Sequence, residues 1–261
     1  MAIEMRRLIG DRLGELRFDR TAKRLRAFTG DTLLFDSTAA ILVWEPRRVV
    51  PSYAVPVGDV AVVIAASERP APEPDDRPIW DPRTPFAMRL TPGRAVELAG
   101  GVAGFLPDEL DDMLIVDFDG PDRWLEEDQR VFAHPRDPYH RIDVLDSARR
   151  LEIRHDGELL ARSHRARTLF ETGMPPRHYL PFEDVIVPLR PSATRTRCAY
   201  KGEASYYSAI LTGGILSDIA WSYREPADDG RPVAGLFAFW DERLDLTVDG
   251  EPVERATTLW S

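Results

Sequence analysis

The sequence predicts a mainly β protein, arranged as two tandem compact antiparallel β domains with only minor short helices. Three observations carry this. Apolar and polar residues alternate along short runs, the period of a strand with one face in a core. Turn dipeptides interrupt these runs every several residues. The first half of the chain also aligns with the second.

The alignment fixes the domain plan. Arg24-Leu25 through Glu45 falls without a gap on Arg150-Leu151 through Glu171, placing Leu33-Leu34 on Leu159-Leu160, Ser37 on Ser163 and Trp44 on Phe170. After a slip of one residue, Pro51 through Val60 falls on Pro176 through Val185, keeping two prolines and an Asp-Val pair in register. A repeat of this length signals two units of one architecture. The joint is the polar stretch His134-Pro135-Arg136-Asp137-Pro138-Tyr139-His140, with two prolines, so the expected domains are 1–133 and 134–261.

In the first half, Glu68 through Pro78 is rich in proline and acid and reads as an exposed loop. Thr91–Leu98 and Pro107–Met113 read as the short helices. In the second half, Arg150–Arg154 and Glu158–Arg162 flank Asp156-Gly157 and read as a hairpin. Ser205–Leu211 and Leu216–Tyr223 form another around Thr212-Gly213-Gly214, with Ile219, Trp221 and Tyr223 on one face of a half-buried strand. Val233–Trp240 and Leu244–Val248 supply further strands.

Composition narrows the function. With 43% hydrophobic and 30% charged residues the chain reads as globular. A net charge of −10, with arginines interleaved among acids, argues against a nucleic-acid partner. No apolar run approaches the ~18 residues of a membrane span, and the start of the chain does not read as a signal peptide. One cysteine forms no internal disulfide, so a cytoplasmic location is expected. The five histidines show no metal-ligand spacing, so no metal is expected and no cofactor is indicated. The oligomeric state is not legible.

The residues that invite chemistry surround Cys198, the only cysteine, and Lys201, one of two lysines in an arginine-rich chain. A lysine in that background marks a place for a compact ammonium rather than a planar guanidinium. The candidate catalytic residues are Lys201, Cys198 and Glu183. The candidate ligand-binding residues are Tyr179, Asp184, Arg195, Tyr200, Gly202 and Tyr207. Lys201 would act as charge contact or base, Arg195 would hold an anion, and the Glu183–Asp184 pair would do acid–base work if its two pKa values were split. The plainer reading makes Cys198 a small core residue, Lys201-Gly202 a turn and the acids caps. Glu171 and Glu45 end matching apolar strands, and this recurrence suits a structural role. The first half has Pro92-Gly93-Arg94-Ala95 nearest to the Cys198–Gly202 segment, without its cysteine or lysine, and reads as a scaffold.

Glu171 through Val185, Thr196 through Tyr207, Ala220 through Tyr223 and Ala234 through Phe239 resemble, in order and spacing, the DUF427 family of bacterial domains of unknown function. Ala199 departs from the pattern, which usually has proline before Tyr-Lys-Gly. The resemblance implies a compact, mainly antiparallel β domain without an established reaction, and a first half that is a diverged second copy. Members often carry a nucleotidyltransferase label, yet no Gly-Ser helix start with paired aspartates occurs here. Three readings follow: binding, with or without transformation, of a small anionic or carbonyl-bearing molecule; a non-catalytic protein-interaction module; and a nucleotidyltransferase.

Overall fold

The alternation seen in the sequence becomes antiparallel strand pairing throughout a computed structural model that describes residues 2, 10–256 and 258. The chain divides into two units after Asp137, inside the stretch that the sequence marks as the joint and four residues past the boundary drawn after residue 133. The indole Nε1 of Trp44 donates to Asp137 at 3.2 Å, which ties that part of the stretch to the first unit. No helix among the described residues is long and apolar enough to cross a membrane.

The first unit contains β1 (Arg17–Arg20), β2 (Leu25–Thr29), β3 (Thr32–Ser37), β4 (Ile41–Trp44), β5 (Ser52–Pro56), β6 (Ala65–Ala66), β7 (Gly93–Glu97), β8 (Ala103–Pro107), β9 (Met113–Val116), β10 (Arg123–Glu126) and β11 (Gln129–Val131). They form a seven-stranded sheet in the order β1-β4-β5-β9-β8-β7-β6 and a four-stranded sheet β11-β10-β2-β3. Leu25, Leu34, Phe35, Tyr53, Leu114 and Trp124 fill the core.

The second unit contains β12 (Ile142–Ser147), β13 (Leu151–His155), β14 (Glu158–Ser163), β15 (Ala166–Glu171), β16 (Arg177–Tyr179), β17 (Leu189–Cys198), β18 (Gly202–Leu211), β19 (Gly214–Ser222), β20 (Phe237–Phe239), β21 (Asp245–Val248) and β22 (Glu251–Val253). The order β12-β15-β16 continues through a Leu180–Phe237 bridge into β20-β19-β18-β17, and β14-β13-β21-β22 forms the other sheet. The two units therefore pair their strands in the same order. Their first hairpins shift register at matching places, after Ala27 and after Ile153.

Two expected helices are absent. Gly93–Glu97 is a strand paired with β6 and β8, because cross-strand neighbours outweigh the helix propensity of Arg94, Ala95 and Glu97. Asp108–Asp112 is a turn before β9, with Asp112 at φ 57°. The helical elements within residues 11–256 are four short 3-10 turns. Strand β19 is buried on both sides from Ile219 to Ser222 rather than half-buried. Ile219 joins Leu151, Leu160 and Phe239 in one core, while Trp221 joins Tyr179, Tyr206 and Tyr223 in a separate core. The proline-rich loop is exposed as expected, but the segment after it folds inward and buries Trp80 and Met88.

Candidate functional site

Glu171 is the last residue of β15, and three elements converge on it. Strand β12 pairs with β15 so that Ile142 lies opposite Glu171. Two residues earlier, His140 places its Nε2 3.0 Å from Glu171 Oε1. From the β17–β18 turn, Lys201 Nζ donates to Glu171 Oε2. The Lys201 and Glu171 side chains are only 12% and 13% exposed, so the contact is made largely out of water.

Local backbone chemistry explains the position of Lys201. Gly202 adopts φ +95°, and a Cβ there would stand 2.8 Å from the Ala227 nitrogen. That nitrogen donates to the Lys201 carbonyl at 3.1 Å. Gly230 permits the same close approach, since its Cβ would lie 2.8 Å from the Lys201 carbonyl oxygen. The turn is thus held against residues 226–230, which fixes the backbone from which Lys201 extends. Tyr200, beside it, stacks on the His140 imidazole with ring centres 4.3 Å apart and planes 22° apart.

The electrostatics follow from this geometry. Burial alone would raise the Glu171 carboxyl. The His140 hydrogen bond and the charge and hydrogen bond of Lys201 outweigh it and bring the group down to about 2. Glu171 is therefore a fixed negative charge at neutral pH and not a proton donor. Burial pushes the phenols of Tyr179 and Tyr223 up, so both remain neutral hydroxyls. Trp221 Nε1 donates to the Tyr179 hydroxyl at 3.4 Å. Cys198 lies within electrostatic reach of both tyrosines.

Beneath this group, Arg177 packs beside Trp221 and Trp240. It grips Glu242 with both terminal nitrogens, at 2.7 and 3.1 Å, and reaches Asp241 at 3.2 Å. His178, the neighbour of Arg177 in β16, turns instead to Thr168 at 3.0 Å, and burial lowers it to about 4. Among the described residues no three His, Cys, Asp or Glu side chains gather as a metal-ligand set.

Residues 143–250 match the family model described as a domain of unknown function (DUF427). The second unit carries one DUF427 domain. No curated protein matches the chain.

Of the residues singled out from sequence, the DUF427 domain brings Tyr179, Cys198, Tyr200, Lys201 and Gly202 into one neighbourhood. It holds the other four elsewhere. Asp184 accepts from Ser163 at 2.6 Å and from Arg165 at 2.8 Å, as Asp59 accepts from Ser37 at 2.6 Å in the first unit. Glu183 projects from the same 3-10 turn with its side chain 73% exposed. Arg195 bonds the carbonyls of Ser192 and Thr194 on the exposed face of β17. Tyr207 points into the other core, packs on Phe237 and accepts from Arg224. We expect Glu183→Ala and Arg195→Ala to leave the melting temperature and any ligand affinity of this domain unchanged, which thermal denaturation with and without ligand checks.

Sequence reasoning passed over Glu171 and His140. Glu171 does leave a signal, a charge ending an apolar strand in both halves, but that recurrence by itself points to a structural role. His140 left none, since a histidine in a polar linker has no periodicity to mark it.

Proposed function

We propose that the DUF427 domain binds a small anionic or carbonyl-bearing molecule at the Glu171–Lys201–His140 centre, with Lys201 as the charge contact. The observation that carries this reading is the pair of donors, Lys201 and His140, held on one ionised carboxylate in a largely dry, aromatic setting. Lys201 gives one N–H to Glu171, and an ammonium has two more to offer a ligand oxygen. A charge-assisted bond made out of water is stronger than one at the surface. The matched strand order, the matched hairpin bulges and the Ser37–Asp59 and Ser163–Asp184 bonds support a tandem form with a diverged first copy. The single cysteine supports a cytoplasmic location.

The test is a thermal-shift screen of small carboxylates, keto compounds and nucleotides on wild type and Lys201→Ala. A ligand that binds the native state raises its midpoint. The expected result is a ligand that stabilises wild type and not the variant. The variant itself should melt a few degrees lower, because Glu171 loses a partner. A hit that stabilises both proteins equally would remove Lys201 from the site. Stabilisation only by nucleotide with magnesium would favour the nucleotidyltransferase reading instead. The interaction-module reading draws on Ile210 and Ile215, which face each other across β18 and β19 and are half exposed. No shift by any compound, together with a protein partner lost on Ile215→Asp, would favour that module.

A further inference from the structure

His140 precedes the span that the family model matches, 143–250, yet three contacts build it into the Glu171–Lys201 centre. The β12–β15 ladder runs on past its last strand pair to anchor the backbone beside it. Arg141 N–H donates to Thr172 Oγ1 at 2.9 Å, and Thr172 N–H to the Arg141 carbonyl at 3.0 Å. Tyr200 stacks on a face of the imidazole, and Glu171 Oε1 lies 3.0 Å from its Nε2. The ring is fixed in position, in plane and in rotation.

The partner decides which ring nitrogen carries the proton. Glu171 is ionised, being paired with Lys201, and an ionised carboxylate only accepts hydrogen bonds. Nε2 is therefore the protonated nitrogen, and in the neutral ring Nδ1 is a bare lone pair. Nδ1 makes no hydrogen bond among the described residues, and it is not sealed from solvent. The His140 side chain is 19% exposed against 13% for Glu171 and 12% for Lys201. The centre opens on the histidine side.

The first unit shows that strand pairing does not require this imidazole. Arg17 lies opposite Trp44 as Asp143 lies opposite Phe170. Three residues ahead of each stand Gly14 and His140. Where the glycine stands, the matching carboxylate, Glu45, is 1% exposed and accepts from Arg89 at 2.7 Å. One unit closes its glutamate with arginine; the other leaves it beside an oriented acceptor.

We propose that the ligand of this centre is a 2-hydroxycarboxylate, its carboxylate on Lys201 and its hydroxyl donating to His140 Nδ1. The inference rests on the ligand reading above and adds a second, opposite requirement to it. Lys201 supplies N–H and calls for an oxygen, whereas Nδ1 supplies a lone pair and calls for an O–H. Each residue holds one oxygen of the same carboxylate, so the two stand side by side. A 2-keto acid would meet Nδ1 with lone pairs of its own. A plain carboxylate would leave Nδ1 unanswered.

The experiment titrates the full chain by calorimetry with lactate, propionate and pyruvate, acids of one length that differ at the second carbon. The proteins are wild type, His140→Gln and Lys201→Ala. Glutamine can still donate to Glu171 through its amide but has no Nδ1. Wild type should bind lactate at least ~10-fold more tightly than the other two. His140→Gln should bring the three affinities within ~3-fold of one another, and Lys201→Ala should weaken all three. Equal affinities in wild type that fall together in Lys201→Ala would overturn the hydroxyl assignment and leave the ligand reading standing. Affinities untouched by Lys201→Ala would remove that reading as well. No binding of any of the three in the millimolar range would overturn the hydroxycarboxylate assignment. If His140→Gln does not fold, the long-range proton–nitrogen NMR spectrum of wild type decides the same point. It should show the neutral His140 ring protonated on Nε2 and bare on Nδ1; the opposite tautomer would overturn the proposal.

Discussion

Arg177→Met should cost the second unit ~3–5 kcal/mol, the largest loss expected from any one substitution in the DUF427 domain. Arg177 is 8% exposed and holds Glu242 through two bonds, Asp241 through one, and the Phe239 carbonyl at 3.0 Å. Methionine fills a similar volume beside Trp221 and Trp240 but leaves the neighbouring Asp241 and Glu242 carboxylates without a cation, with only neutral donors such as Thr258, at 3.1 Å from Glu242, still in place. Asp241 already shows the tension. Burial raises it to about 7, with Glu242 adding to the rise and Arg177 opposing it. Without Arg177 both acids would titrate above their unfolded values. Groups shifted up in the folded state stabilise below the unfolded pKa and lose that contribution as pH rises through the folded one. The defect should therefore be smaller at pH 5 than at pH 8. Arg177→Met with Glu242→Gln should recover much of the loss, because one uncompensated charge is removed. Urea denaturation followed by hydrogen exchange of β16, β19 and β20 reads this out. A variant as stable as wild type at pH 8 would show that the cluster contributes nothing net.

The fold was legible where a few neighbouring residues decide the outcome. Asp156-Gly157, with φ of 47° and 84°, forces the tight turn that its sequence announced. The alternation around Trp221 marked a strand, although the second buried face did not show until the register shift after Tyr207 brought Ile219 and Ala220 into the other core. Thr91–Leu98 carries helix-forming residues, and the partners that make 93–97 a strand, β6 and β8, come from before and after it in the chain. The site divides along the same line. Cys198 and Lys201 stood out by rarity, a property of composition. Glu171 draws its meaning from a lysine thirty residues later and a histidine thirty-one earlier, and no local pattern encodes such a meeting. Glu183 and Asp184 drew attention as adjacent acids. Asp184 instead ties a turn to Ser163 and Arg165, a role visible only with the strands in place.

Acid should weaken the second unit at Glu171 before it reaches the core. The carboxyl titrates at about 2 in the folded protein against an ordinary value of 4.5. A depressed carboxylate contributes its full stability above the unfolded pKa and loses it as pH falls through the folded one, here between roughly 4.5 and 2. At ~1.4 kcal/mol per pKa unit this single group accounts for about 3 kcal/mol of pH-dependent stability. His140→Ala removes the hydrogen bond that most opposes burial, and Lys201→Ala the next influence. Each should raise the Glu171 pKa and shift the start of acid unfolding to higher pH. Glu171→Gln should flatten this part of the profile altogether, at the cost of leaving Lys201 without its anion at every pH. The measurement is the unfolding free energy of the four proteins from pH 2 to 7, with the Glu171 carboxyl followed by NMR. Profiles that coincide below pH 5 would mean that Glu171 is not held ionised by His140 and Lys201. The proposed ligand contact would then lose its electrostatic basis as well, since the two donors are oriented by that charge.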